Sequence, residues 1–223
     1  MKGNYTYRLK YAKSQNARYI SHLDFVRVLN RTIRRSGLPV TYTEGFNPHP
    51  VMVVAMPIGV GVTGEDEYID IDFDEKLDEA VVCETFKNAF PEGIDVICAK
   101  LVDENLPSFK KLDTASYICE IETKGAKDKL CTDKFLALDE IMVEKKSKSS
   151  VKTVDIKNDI KELNLLEAGD DYYKFSVTVP AGNTYNLKPE LVFSAMATYQ
   201  GFELVFVKVH RTALYAEGKR RFL

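Results

Sequence analysis

Four arginines stand in the run HLDFVRVLNRTIRRSG, at 27, 31, 34 and 35, spaced i, i+4, i+7 and i+8. On a helix that spacing carries the guanidiniums down one face. A guanidinium fork matches phosphate oxygens in pairs, so the chemistry suggested is contact with an anion or a nucleic-acid backbone. The competing reading is a solvated helix face whose arginines are ion-paired with the carboxylates of residues 65–75. His22 follows Ser21, which has the character of a helix cap, and a histidine there can take up a proton. Arg18 and Tyr19, just upstream, could converge on the same spot, although a histidine in a capping turn can equally serve a structural hydrogen bond. The third element is TYTEGFNPHP, where Pro48 and Pro50 hold His49 in extended geometry. A segment stiffened in this way loses little ordering entropy when a ligand arrives. Arg18, His22, Phe46, Asn47 and His49 are therefore expected to line one partly exposed pocket, rimmed by Arg27, Arg31 and Arg34. His22 and His49 are the candidates for proton transfer. The rival is a rigid connector whose Phe46 fills the core.

Other chemistries lack their residues. Four cysteines stand at 83, 98, 119 and 131, without a CxxC pair or the CxxxCxxC run that holds a radical-SAM iron–sulfur cluster. Cys83, Cys98 and Cys119 sit in apolar or alternating surroundings and read as small core hydrophobes. There is no P-loop, GxGxxG, GxSxG or HExxH, and no cofactor or metal is expected. The aspartates of EYIDIDF, at 70 and 72, and Asp74 just after it share one face at period two. They read as the outward polar face of an edge strand rather than as a cation site. His210 ends an alternating strand and reads as structural.

These residues need a scaffold, and the composition supplies one. The chain has 223 residues, 45% hydrophobic and 29% charged, with a formal net charge of −2. That permits one large domain or two small ones with real cores. It also argues against whole-surface attraction to nucleic acid or anionic lipid, so such a site must be a local patch. The start, MKGNYTYRLK, has no apolar leader, and no stretch of ~18 apolar residues occurs. The protein reads as cytoplasmic, with no membrane partner.

Element by element, the chain repeats one order. Tyr5–Tyr11 alternates as a strand. Ser21 and Asp24 form a capping box for a helix with Val26, Leu29 and Ile33 as its apolar seam, ended by Gly37 and Pro39. Strands follow at 40–44, 51–57 and 67–73, then a helix over 77–90 and a strand over 94–102. After a linker near 103–111 come a strand (SYICEIE), a helix (DKFLALDEIMVEKK) and a solvated turn (KKSKSS). Strands at VKTVDI, 163–167 and YYKFSVTVP, a helix over 187–199 and a last strand (FELVFVKVH) complete the chain. The expected fold is α+β: two tandem ferredoxin-like βαββαβ units with mostly antiparallel sheets, residues 1–105 and 111–223.

The run RYISHLDFVRVLNRTIRRSGLPVTYTEGFNPHP, followed by MPIGVGVTGEDEYIDIDF, resembles the bacterial DUF2344 family of radical-SAM-linked proteins. The resemblance is strong over about residues 5–105 and weaker through NLKPELVFSAMA and VHRTALY. It implies recurrent positions at Ser21, His22, Asp24, Arg27, Arg34, Gly37, Gly45 through Pro50, and Arg211. It also implies a partner: a radical-SAM protein with a B12-binding-type domain, encoded beside or fused to such a chain. Val51 stands where similar proteins carry a lysine, and Val53 where an aromatic is frequent. The expected function is an accessory protein that binds a substrate, RNA above all, and presents it to the radical-SAM enzyme. Arg18, His22, Arg27, Arg31, Arg34, Phe46, Asn47, His49 and Arg211 are its candidate ligand-binding residues. Two alternatives stay open. One is a metal-independent endoribonuclease using His22 with Arg18 or Arg27, though it lacks the glycine-rich C-terminal loop. The other is a module that only docks a protein partner.

Overall fold

The structure, a computed structural model, describes residues 5–146, 151–182 and 184–223. It is mixed α+β with a mostly antiparallel sheet. The chain divides into two compact units: residues 1–112 with Ala213–Leu223, and Asp113–Thr212. The C-terminal residues thus group with the first unit.

In the first unit the elements are β1 (Tyr5–Lys13), α1 (His22–Ser36), β2 (Met52–Val54), β3 (Thr63–Phe73), α2 (Glu79–Ala89) and β4 (Ile94–Leu101). The strands lie in the order β4-β1-β3-β2, each pairing antiparallel. Alternation along β1 turns Tyr7, Leu9 and Tyr11 inward, where Phe25, Leu29 and Ile33 of α1 and Val82 and Phe86 of α2 complete a core. The buried seam of α1 thus runs through Phe25, Leu29, Thr32 and Ile33. Val26, expected in it, is only half-buried, because it sits one helical step from the centre of the contact.

Two expected strands are shorter than their patterns. Residues 40–44 make only isolated bridges, Val40 to Phe73 and Tyr42 to Pro50, and the following strand is reduced to β2. Pro48 and Pro50 have no N–H to donate, so no continuous ladder forms there. The aspartates of β3 are also not an edge face, since β3 lies between β1 and β2. Asp70 takes both forks of Arg8, at 2.7 and 2.8 Å, while Asp72 and Asp74 accept from the hydroxyls of Thr6 and Thr41.

The second unit contains β5 (Leu112–Lys124), α3 (Thr132–Leu136), β6 (Met142–Lys146), β7 (Val151–Asp155), β8 (Glu162–Ala168), β9 (Tyr172–Pro180), α4 (Pro189–Gln200) and most of β10 (Glu203–Ala216). Its sheet order is β10-β5-β9-β8, the same fourth-first-third-second arrangement as in the first unit. The long helix expected from DKFLALDEIMVEKK is corrected: α3 is a single short turn of helix, residues 137–141 are turn and loop, and only the last five residues form β6, paired with β7 in a separate two-stranded sheet. Tertiary pairing overrides helical spacing here. Ile141, Val143 and Ile156 become buried, and the Ile141 N–H donates to Asp155. Part of the expected KKSKSS turn, residues 147–150, lies outside the described residues. The last residues of β10, Ala213–Ala216, and β11 (Arg220–Arg221) belong to the first unit.

Candidate functional site

α1 begins as its sequence dictates. The Ser21 hydroxyl accepts from the Asp24 N–H at 3.2 Å and donates to the Asp24 carboxylate at 2.7 Å. That carboxylate also takes Arg27 at 2.6 Å, and the hydrogen bonds from Ser21 and Arg27 hold its pKa below the usual carboxylate range. The helix ends at Gly37, whose φ of 66° is the left-handed cap glycine allows.

With about 100° between successive residues, Leu23, Arg27, Arg31 and Arg34 fall within about 80° of one another around the axis, opposite the buried seam. All four are exposed. Arg31 and Arg34 have no partner among the described residues, and none of the β3 carboxylates reaches them. Arg35 leaves the stripe, because its guanidinium turns to Thr32 and to the Ala89 carbonyl at the end of α2. The stripe thus consists of Arg27, Arg31 and Arg34.

The turn before α1 is tied down at both sides of Tyr19. The Gly61 N–H donates to the Arg18 carbonyl at 2.8 Å, and Lys13, buried in β1, donates its Nζ to the Ile20 carbonyl at 3.0 Å. Arg18 is half-buried, bonded to Gln15, with its guanidinium carbon 4.8 Å from the Tyr19 ring centre. Tyr19 itself is 70% exposed, as is Leu23. His22 is exposed and has no hydrogen bond among the described residues.

The GFNPHP segment is the tip of a short excursion. The Thr43 N–H donates to the His49 carbonyl at 2.9 Å, and the Val51 N–H donates to the Thr41 carbonyl, which brings both arms together. Gly45 turns the chain with φ of 115°, a conformation that side chains rarely adopt. Phe46 at the tip is fully exposed, so it does not fill the core. Asn47 and His49 are exposed too. The His49 N–H donates to the Thr43 hydroxyl, and its Nδ1 lies 3.1 Å from that hydroxyl and 3.3 Å from the Asn47 carbonyl. No hydrogen bond joins His49 to His22 among the described residues. Arg211 belongs elsewhere: it is 2% exposed, on the inward alternation of β10 with Val209 and Ala213. A side chain so enclosed is not on a binding surface.

Sequence reasoning passed over one feature and left another incomplete. Tyr19 was placed with Arg18 near His22, but not as an exposed ring braced by that arginine. Leu23 extends the arginine face by one turn, which the helical wheel alone would show. Among the described residues no group of three or more His, Cys, Asp and Glu side chains is placed to hold a metal ion. The thiol of Cys119 is buried, and burial pushes its acidity far from the reactive range. A cavity of about 420 Å³ lies in the second unit between Leu130–Asp133 and Leu163–Leu165, away from every candidate named above. No helix among the described residues is long and apolar enough to cross a membrane.

Residues 6–189 match the sequence model of a family described as an uncharacterized protein conserved in bacteria, DUF2344. No curated protein matches the chain. Among solved structures, it is similar to a chain of a Cbf5–Nop10–Gar1 complex, with a TM-score of 0.48 and 11% identity over 94% of this chain and 48% of that one. It spans about half the length of that chain. It is also similar to an unknown protein from Galdieria sulphuraria, with a TM-score of 0.27 and 12% identity over 94% and 99% of the two chains.

Proposed function

We propose, from the premise that the chain belongs to the DUF2344 family, that its first unit binds single-stranded RNA along α1. In this reading the protein is an accessory substrate-binding partner of a radical-SAM enzyme with a B12-binding-type domain and works in the cytoplasm. The observation that carries the RNA reading is the exposed face of α1, where Arg31 and Arg34 stay unpaired among the described residues. The carboxylate that α1 itself carries, Asp24, is taken by Arg27. Cations left without partners, on a protein with a net charge of −2, make a local phosphate-binding patch. Phe46, raised on a proline-stiffened tip, adds an exposed ring of the kind on which unpaired bases stack.

The recurring strand order supports reading the two units as tandem ferredoxin-like folds. The absence of a cluster-binding cysteine run in the chain supports the accessory role, in which the partner carries the radical chemistry.

Electrophoretic shift with a short single-stranded RNA, at low and at moderate salt, tests the reading. Binding that weakens steeply with salt and leaves the RNA intact is expected. No shift at low salt contradicts it, and cleavage of the RNA would transfer the assignment to the endoribonuclease alternative.

A further inference from the structure

We infer that Tyr19 is a base-stacking platform at the head of the arginine face, so that the strand bound there is read as one unstacked base followed by its phosphates. The inference rests on the RNA reading of α1 and deepens it, because it names a stacking residue that the arginine spacing does not contain.

Three observations carry it. First, Tyr19 is 70% exposed, on a turn whose backbone is anchored at both neighbours by the bonds to Gly61 and Lys13. A large ring on a mobile loop would lose its exposure advantage to ordering entropy, whereas here the backbone is already fixed. Second, one side of the ring is braced by the Arg18 guanidinium, 4.8 Å from its centre. A cation on one face of an aromatic ring leaves the other face for a second flat partner, and a nucleobase is such a partner. Arg18 keeps this place although its Nε is buried without a hydrogen-bond partner, an expense that calls for a reason. Third, the ring precedes Leu23, Arg27, Arg31 and Arg34, which share one exposed helix face. At about 1.5 Å rise per residue, Arg27 and Arg34 are separated along the axis by roughly 10 Å. That is a reach of one to two phosphates, so a strand whose base stacks on Tyr19 can place its following phosphates along the stripe. An acidic peptide would use the cations but would occupy the ring only through an aromatic side chain, whereas every nucleotide of a single strand brings a flat base.

The test uses the full chain and a short RNA carrying 2-aminopurine, whose fluorescence falls when the base stacks. Wild-type protein is expected to bind and quench. Tyr19→Phe should do both. Tyr19→Ala should bind roughly ten-fold more weakly, as expected for loss of one stacked base, with the quenching lost at one of the labelled positions that wild type quenches. Its salt dependence should match wild type, because no phosphate contact is removed. Circular dichroism checks that the variant is folded, which the exposure of the ring favours. If Tyr19→Ala binds and quenches like wild type while Arg31→Ala with Arg34→Ala loses affinity, the stacking inference is overturned and the RNA reading stands. If wild-type protein binds no RNA, both are overturned.

Discussion

Arg8 and Arg31 are the same residue type with opposite duties, and their surroundings decide which. Arg8 is 1% exposed, forked onto Asp70, bonded to the carbonyls of Pro107 and Phe222, and stacked at 4.1 Å over Phe109. Removing one partner of such a buried pair leaves the other uncompensated, so Arg8→Ala should cost about 3–5 kcal/mol in denaturant unfolding. Arg31→Ala and Arg34→Ala, at exposed sites without partners, should stay within about 0.5 kcal/mol of wild type. Asp66 adds a pH test. Burial pushes its carboxyl up, but Lys10, the Tyr68 hydroxyl and the Leu214 N–H outweigh burial and hold it below the usual carboxylate range. A depressed folded value contributes stability above the unfolded value, about 3.9, and that contribution is lost as pH falls through the folded value. Asp66→Asn should therefore lower stability at neutral pH and flatten the acid limb below about pH 4; an acid limb as steep as that of wild type would contradict this. In sequence, Arg8 reads as an ordinary outward residue of an alternating strand, because its partners lie far along the chain and no local pattern signals them.

The elements were legible where local rules and tertiary contacts agree. α1 has its cap, its seam and its stop within one stretch, and it forms nearly as read. The segment 133–146 has helical spacing too, yet its last five residues pair with β7, because a partner strand there leaves Ile141 and Val143 buried where a solvated helix would not. Periodicity within the segment cannot reveal what the next segment offers. The GFNPHP tip lies between these cases. Its prolines announced a stiff connection, but the cross-links between Thr43 and His49 that close it were not visible. Gly45 is its weak point: a side chain there meets no neighbour but must adopt an unfavourable φ. Gly45→Ala should destabilise by about 1 kcal/mol, and hydrogen exchange at the Thr43 amide should accelerate while the β1 amides do not change. Uniform acceleration throughout the first unit would mean that the tip is coupled to its core.

At the scale of the whole molecule, the mixed α+β character and the mostly antiparallel sheet were legible in the order of elements, and one strand order recurs in both units. The return of residues 213–223 to the first unit was not anticipated. Their anchors are Phe222 against Tyr68 and Phe109, Arg221 on Asp66, and the Leu214 N–H on the same carboxylate. Those contacts join residues more than 100 positions apart in the chain, which no window of sequence displays. Phe222 is fully buried, so Phe222→Ala should cost about 3–5 kcal/mol and raise hydrogen exchange in β1 and β3 more than in β5 and β9; the reverse pattern would contradict the division into units. The functional account rests on the arginine face of α1, and the salt dependence of RNA affinity reads that face most directly. Each phosphate contact to a single strand contributes about 0.7 to the slope of log affinity against log salt. Arg31→Ala with Arg34→Ala is predicted to weaken binding and to reduce that slope by about 1.4, with unfolding unchanged. An unaltered slope in a folded double variant would contradict the account.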